Sequence, residues 1–493
     1  MNVSNTTLKA KIVQKNTFKD EKDVFEFIFS FTNTEQNLNK KLKRAYRLDR
    51  MKILLKELGH PENSFATIHI AGTKGKGSTA AFIANALTNC GIKTGLYTSP
   101  HVLSPTERIS IPGQTMNIKA IITSAETIRE TVNNKSLELA GYQSPTTFEL
   151  LTALAFLYFR NTGCKLAVIE TGIGGRLDAT NVIIPIVSVI TPINREHTDV
   201  LGNTLGKIAL EKAGIIKRGI PVFSSKQRVE VKEILTRESH KKETSIRFID
   251  EEIHHYSSDV SISGTKIYAK FKNGREINFS IGMIGDFQAE NALLAYHVAE
   301  NVLLNTDLKG KLKQGDLAPK ITMGLQNTRL PGRFEVFPIK KNEQKESYIV
   351  LDGAHTPVAI RRILKNFNLL FRGRKILIFG AVKGKNYREM ARHLAPHFEK
   401  IIVSKPDPFK ESEPDKIFNF FKNLNPHTHM EANPAEALKE AMKKLTQTSP
   451  AEGSSETNIY DAILVTGSFY MISEIERTIK NITSIQLEEK SAT

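Results

Sequence analysis

The chain has only two cysteines, Cys90 and Cys164, among its 493 residues. Two thiols cannot build a disulfide framework, and both lie in segments of buried character, so a reducing compartment is expected. Long apolar runs are missing too. The longest helix-like one, Leu150 to Phe159, is closed by Arg160 and falls short of the roughly 20 residues that a membrane span needs. The opening segment Met1 to Asp20 holds no Arg and no apolar core, which argues against both a transit peptide and a secretory signal. The cytoplasm is the expected location, with no membrane partner. The formal charge is nevertheless +17. Its lysines are spread without a long basic block, so a nucleic-acid arm is not expected. Such a surplus suits small polyanions, and equally a solvated surface.

At this length two or three domains are expected, and 40% hydrophobic with 25% charged residues describes a globular protein. Apolar periodicity predicts helices over Glu21 to Phe31 and Tyr46 to Leu58, after a polar arm from Met1 to Thr17. Strands at Ala66 to Ala71, Thr94 to Thr98, Lys165 to Glu170 and Ile186 to Thr191 alternate with helices at Thr79 to Leu87, Ile118 to Val132 and up to Tyr158. Thr146 or Thr147 is placed to cap the last of these. Between Ser245 and Ile281 the period shifts to two around Asn273-Gly274, a hairpin signature. Ala318 to Gly332 has no clean period and contains Pro319 and Pro331, so the domain boundary is placed there, dividing 1–327 from 328–493. A second alternation follows, with strands at Tyr348 to Leu351, Lys375 to Phe379, Lys400 to Val403 and Ala462 to Val465. Helices fall between them, the last over Phe469 to Ile479. Thr446 to Asn458 reads as a loop and Leu487 to Thr493 as a polar tail. The expected fold is α/β: an N-terminal P-loop-type ATPase domain with a mainly parallel sheet and a small β hairpin, then a smaller doubly wound Rossmann-like domain.

The most informative stretch is Gly72-Thr73-Lys74-Gly75-Lys76-Gly77-Ser78, between an apolar strand and a helix of small residues. Glycines let the backbone turn its N–H groups inward, the helix N-terminus adds positive potential, and Lys76 sets an ammonium at the mouth. That describes a phosphate cradle. The usual P-loop pattern has a glycine separated by four residues from the Gly-Lys pair and a hydroxyl directly after the lysine. Here Ile70 takes the first place and Gly77 intervenes before Ser78. Ser78 offers an oxygen to Mg²⁺, a hard cation that keeps several waters. Glu170, at a strand end, is either a second metal oxygen or a solvated carboxylate. His197 suits a neutral imidazole ligand or a structural histidine.

The loop Gly-Thr-x-Gly-Lys-Gly-Ser resembles the variant cradle of folylpolyglutamate synthases and dihydrofolate synthases, within the wider Mur-ligase group of ATP-dependent amide-forming enzymes. So do Ser99-Pro100-His101 with Glu107-Arg108-Ile109, Thr171-Gly172-x-Gly174-Gly175-Arg176, Glu196-His197-x-Asp199, Glu211-Lys212-Ala213-Gly214 and Leu351-Asp352-Gly353-Ala354-His355, in that order. The resemblance spans roughly Tyr46 to Glu474. It implies a ligase that adds L-glutamate to a folate, or to dihydropteroate, through an acyl-phosphate intermediate, with ATP and Mg²⁺ as cofactors. Implied roles are ATP binding by Gly72 to Ser78, Asn291 on the adenine side, Arg333, Asp352 and His355. Ser78 and Glu170 match a first metal site and His197 a second, and Lys212 matches a lysine carbamylated in that family. Lys76, Lys212 and His197 are the expected catalytic residues. Ser99, Pro100, His101, Arg108, Thr147 and Phe148 are candidates for the substrate side. The chain departs from the family at Lys74 and Thr356, where Asn is usual, and over Lys383-Gly384-Lys385-Asn386-Tyr387, which lacks an acidic residue. A monomer acting on small molecules is expected. The alternatives are a Mur-type peptidoglycan precursor ligase and a non-catalytic nucleotide-binding regulator.

Overall fold

The computed structural model describes residues 17–32, 48–133, 144–310, 312–339, 347–406, 411–446 and 461–491. The expected N-terminal arm, apart from Thr17, and the loop 447–458 lie outside those residues. The first sheet has seven strands in the order β3-β2-β4-β1-β5-β6-β7. These are β1 (Ala66–Ala71), β2 (Thr94–Tyr97), β3 (Ile109–Ser110), β4 (Leu166–Glu170), β5 (Val187–Ile190), β6 (Val222–Ser224) and β7 (Ile246–Phe248). All neighbours are parallel except β3 against β2. A parallel sheet needs both faces covered, and β4 shows how: Leu166 and Val168 enter one buried cluster, Ala167 and Ile169 the other. The first cluster includes the helices Lys76–Asn89, Asp286–Asn305 and Gln314–Asn327; the second includes Glu21–Phe29, Leu48–Glu57, Ile118–Asn133 and Thr147–Asn161.

The period-two segment forms a three-stranded antiparallel sheet, β8 (Ile253–Ser261), β9 (Gly264–Phe271) and β10 (Glu276–Ile281), in the order β10-β9-β8. The expected hairpin therefore has a third strand. The start of that segment, β7, instead pairs in parallel with β6. The region expected to be irregular from Ala318 contains most of the helix Gln314–Asn327, with Pro319 inside it. Gly324 there is a packing residue. A Cβ on it would come within 2.6 Å of Ala86 Cα, so the glycine lets two helices touch backbone to backbone.

The second large sheet has the order β11-β12-β16-β13-β14-β15. Its strands are β11 (Arg333–Ile339), β12 (Ser347–Asp352), β13 (Lys375–Phe379), β14 (Lys400–Val403), β15 (Thr428–Met430) and β16 (Asp461–Thr466). Only β11 runs antiparallel to its neighbour. The last helix, Phe469–Ser491, continues past Ile479 through most of the expected tail; Leu487, Glu488, Glu489 and Lys490 are strong helix formers. The two sheets' halves meet through apolar and polar contacts. Val102 joins the buried cluster of Leu351, Val465 and Ile472, and Ile284 joins that of Val350 and Phe367. Asp286 accepts from Lys365 Nζ at 2.5 Å and from Asn366 Nδ2 at 3.0 Å. Carboxyl ends of strands from both sheets, at Glu170 and Asp352, thereby come together, with the Arg333 charge acting on both.

Candidate active site

The cradle leaves β1 at Ala71 and enters the helix Lys76–Asn89 through Gly75, which has φ +84°. That left-handed backbone, together with a Cβ that would sit 2.5 Å from Asn291 Oδ1, restricts position 75 to glycine. The N–H groups of Thr73 and Lys74 both point at the Pro192 carbonyl, at 3.0 and 3.3 Å, and the Thr73 hydroxyl is tied to Asn194. These anchors narrow the cradle. The first intrahelical bond is Thr79 N–H to Gly75 O, so the first-turn N–H groups from Lys76 to Ser78 are among the donors left for an anion.

Glu170 closes β4 with its side chain 3% exposed. Its Oε1 stands 3.7 Å from Lys76 Nζ, and its Oε2 accepts the Ser99 N–H at 3.2 Å. Burial pushes this carboxyl up, against the pull of Lys76. A Cβ on Gly77 would lie 3.3 Å from Glu170 Oε2. The glycine that interrupts the usual P-loop pattern thus makes room for this carboxylate beside the first turn.

Lys212 is buried at the end of the helix Leu205–Ala213. Its ammonium bonds the Gly72 carbonyl at 2.5 Å and forms no ion pair among the described residues. Burial, reinforced by Lys76, pulls its pKa down to about 7. An amine so poised is substantially neutral near pH 7, the form that combines with carbon dioxide. His197 caps the short helix Thr198–Leu201 in a left-handed backbone, φ +51°. Burial lowers its pKa to about 4, so the ring is neutral, as a metal-ligating imidazole must be. Among the described residues no group of three or more His, Cys, Asp or Glu could hold a metal by itself. Mg²⁺ rarely requires one, since it takes one or two carboxylates and completes its shell with phosphate oxygens and water. The donor set of Glu170, Ser78 and neutral His197, facing a cradle with spare N–H donors, fits a magnesium nucleotide.

From the second sheet, Arg333 opens β11 and lies over the Phe469 ring, its Cζ 4.1 Å from the centroid. Asp352 spends both oxygens on backbone donors, Phe334 N–H at 2.9 Å and Ala354 N–H at 2.8 Å. It pins the bulge at Phe334, whose φ is +52°, and so fixes the base of Arg333. Burial raises this carboxyl to about 6, with Arg333 opposing. His355 presents Nδ1 to Gly353 O at 2.8 Å and Nε2 to Glu196 Oε1 at 3.3 Å. Glu196 Oε1 also accepts from Lys74 Nζ at 2.9 Å. Although burial opposes it, His355 and Lys74 hold the Glu196 carboxyl far below the usual range. The phosphate loop is thereby linked across the cleft.

Comparison with known proteins gives the family. Residues 70–299 match the Mur ligase middle domain, and residues 332–469 the Mur ligase glutamate ligase domain. The dihydrofolate synthase/folylpolyglutamate synthase of Bacillus subtilis is 31% identical over 435 residues, covering 88% of this chain and 95% of that protein. The chain belongs to the folylpolyglutamate synthase/dihydrofolate synthase family. The Mycobacterium tuberculosis folylpolyglutamate synthase, solved with ADP and AMPPCP, is 26% identical with a TM-score of 0.75, covering 89% of this chain and 96% of its own. An FPGS–AMPPCP–folate complex gives 27% identity and a TM-score of 0.74 over 94% of this chain and all (100%) of that one.

The family's motifs come together unevenly in this member. Ser99, read from sequence as a substrate-side residue, abuts Glu170 through its N–H. His101 receives the Arg108 Nε–H at 2.8 Å, and Arg108 is buried. The Thr147 hydroxyl, 1% exposed as a residue, donates to Phe31 O at 3.0 Å, and Phe148 packs under Gly172, where a Cβ would meet its ring at 2.6 Å. Thr146, not Thr147, caps that helix, in a capping box with Glu149. Asn291 donates to Gln288 Oε1 and packs against Gly75, at the phosphate loop. The departures have local explanations. Thr356 caps the helix Pro357–Leu370, a position that Asn and Thr fill alike. Lys74, in place of the family's Asn, supplies the ion pair to Glu196. Asn386 caps the helix Tyr387–Leu394, while Lys385 adds to the burial that lowers both His197 and His355. Sequence reasoning assigned no role to Glu196 or to Glu107. The first was signalled by its place beside His197, the second by its place beside Arg108.

Proposed function

We propose that the protein ligates L-glutamate to a folate, using ATP and Mg²⁺, with the chemistry carried out in the cleft between an N-terminal unit ending near 327 and a C-terminal unit beginning near 328. As a member of its family the chain is an ATP-dependent, amide-forming ligase. The observation that carries the site assignment is half-buried Lys76 beside buried Glu170 at the cradle, with Lys212, which makes no ion pair among the described residues, bonded to the Gly72 carbonyl behind them. ATP supplies the phosphoryl group that turns an unreactive carboxylate into an acyl phosphate, and Mg²⁺ offsets phosphate charge. The first-turn N–H groups and Lys76 bind the phosphates. Glu170 and Ser78 would hold one metal ion and His197 a second, each supplying positive charge against the phosphates. Lys212, as its carbamate, presents anionic oxygen instead of a repelling ammonium. Arg333, braced by Asp352 and stacked on Phe469, and His355, braced by Glu196, approach from the opposite wall and orient the transferred group. Asn291 closes the nucleotide side.

The enzyme is expected to act as a cytoplasmic monomer on small molecules alone. The family includes both folylpolyglutamate and dihydrofolate synthases, and nothing in the site favours a peptidoglycan precursor or a purely regulatory role. Purified protein given ATP and glutamate with either dihydropteroate or tetrahydrofolate decides between the two activities. Phosphate release and a glutamylated pteridine are expected with at least one of them. Release with neither overturns the proposal.

A further inference from the structure

The segment from Ser99 to Arg108 touches three things at once. At its start, the Ser99 N–H bonds Glu170 Oε2 at 3.2 Å. In its middle, Val102 is 7% exposed within the apolar cluster of Leu351 and Val465 from the C-terminal sheet and Ile472 and Ile475 from the last helix, and Leu103 packs against the same cluster. The Leu103 carbonyl also accepts from Arg477 Nη2 at 3.2 Å. Val102 further approaches the junction between the sheets, since a Cβ on Gly332 would meet Val102 Cγ1 at 3.6 Å. Its ends are closed by Thr98 N–H to Arg108 O at 3.0 Å. One strap thus connects Glu170 with the wall that carries Arg333.

A strap of this kind transmits position only if it is stiff, and one side chain makes it so. Glu107 accepts three successive backbone N–H groups: Val102 at 2.8 Å, Leu103 at 2.6 Å and Ser104 at 2.7 Å. Its own N–H bonds the Ser104 carbonyl at 3.0 Å, and the two residues also form a capping box, in which each side chain accepts the other's backbone N–H. A carboxylate wrapped by backbone donors makes charge-assisted bonds, stronger than neutral ones. The loop could close its turn without presenting those donors to one point; here they converge on Glu107 directly beneath the two side chains that dock on the other half.

We propose that Glu107 is a positioning residue for ligation. It holds the 99–108 strap in the one shape that seats Val102 and Leu103 on the C-terminal half while keeping Ser99 against Glu170. It touches no reacting group and acts through the placement of Glu170 relative to Arg333. The inference rests on the ligase reading above.

The test compares full-length wild type with Glu107→Ala and Glu107→Gln. Turnover with saturating ATP, glutamate and the preferred pteridine is measured beside amide hydrogen exchange of the ligand-free protein. Glu107→Ala removes all three bonds; kcat is expected to fall by about 10–100-fold, the range typical of residues that orient metal ligands, with KM for ATP within about threefold. Exchange at residues 102–104 is expected to rise in the same variant. Glu107→Gln keeps an oxygen acceptor and is expected to fall between Ala and wild type in both readouts. If Ala does not fold, Gln alone decides: faster exchange at 102–104 with lower kcat supports the proposal, and wild-type values of both overturn it. Faster exchange with unchanged kcat also overturns it, because the loop's shape would then not matter to the reaction. Absence of ligation in wild type would count against the ligase reading, and the exchange data would still report on the strap.

Discussion

Replacing Gly77 by Ala separates stability from catalysis in a way the geometry specifies. Position 77 lies in the first turn of the helix Lys76–Asn89, with no positive φ, so alanine suits the backbone. Alanine is the better helix former by up to about 1 kcal/mol, and the fold should be unharmed or slightly stabilised. The new methyl, however, would stand 3.3 Å from Glu170 Oε2, tighter than ordinary van der Waals contact. Glu170 cannot swing away freely, because Ser99 N–H and Lys76 hold its two oxygens and only 3% of its side chain is exposed. It must instead give by a few tenths of an ångström. A metal carboxylate displaced by that amount is expected to lose about 10–100-fold in turnover, equivalent to about 1.4–2.7 kcal/mol of barrier. The Mg²⁺ concentration needed for half-maximal rate should rise. The assay pairs thermal melting with ATP-dependent ligation across a magnesium series. Loss of melting temperature together with activity, or full activity at every magnesium concentration, would refute the packing argument.

Other expectations follow from buried groups elsewhere. Burial pushes the Glu335 carboxyl up to about 7 from an ordinary 4.5, with Glu476 and Glu107 reinforcing and Gly332 N–H and Lys480 opposing. A raised carboxyl pKa stabilises the fold fully only below the unfolded value, so its contribution is lost as pH rises from 4.5 through 7. Glu335→Gln, which keeps an oxygen for Gly332, should therefore gain melting temperature relative to wild type between pH 5 and pH 8 (about three units,); a constant difference would contradict this. Arg50 Nε reaches both Glu149 oxygens, at 3.0 and 2.8 Å, in a buried pair. Glu149→Ala should cost about 3–5 kcal/mol by urea unfolding, and the double variant Arg50→Met/Glu149→Gln less, since an uncompensated buried charge is the main penalty. Lys76→Ala, Glu170→Ala and Lys212→Ala should each abolish ligation with circular dichroism unchanged; near-normal turnover in any of them removes that residue's role.

Much of the architecture was legible because buried parallel strands announce themselves. Leu166 to Glu170 and Ser347 to Asp352 are short apolar runs ending in a carboxylate, and each lies inside its sheet as expected. The helix Gln314–Asn327 was hidden because Pro319 and Gly324 act locally as breakers, whereas the structure uses Gly324 for contact with another helix. Short strands such as β3, β6 and β15 have two or three residues and too little pattern to read. In the site, Lys76, Glu170 and Lys212 were visible from spacing and resemblance. Glu196 and Glu107 stood within the motifs, but their roles did not show, because they depend on partners far away in sequence: Glu196 meets Lys74 and His355, while Glu107 shapes a loop that docks on Ile472. Asp352 shows the converse. Its motif suggested nucleotide contact, and in the structure one oxygen holds β11 at Phe334 while the other accepts the Ala354 N–H.

The central claim is that one cleft couples ATP consumption to joining glutamate with a pteridine-linked carboxylate. Its most direct test is a single reaction followed by two readouts, ADP formed and glutamylated pteridine formed by mass spectrometry, with each substrate omitted in turn. The account predicts one ADP for each new amide and almost none when the pteridine is left out. ADP accumulating at the same rate whichever substrate is missing, with no glutamylated product, would contradict it.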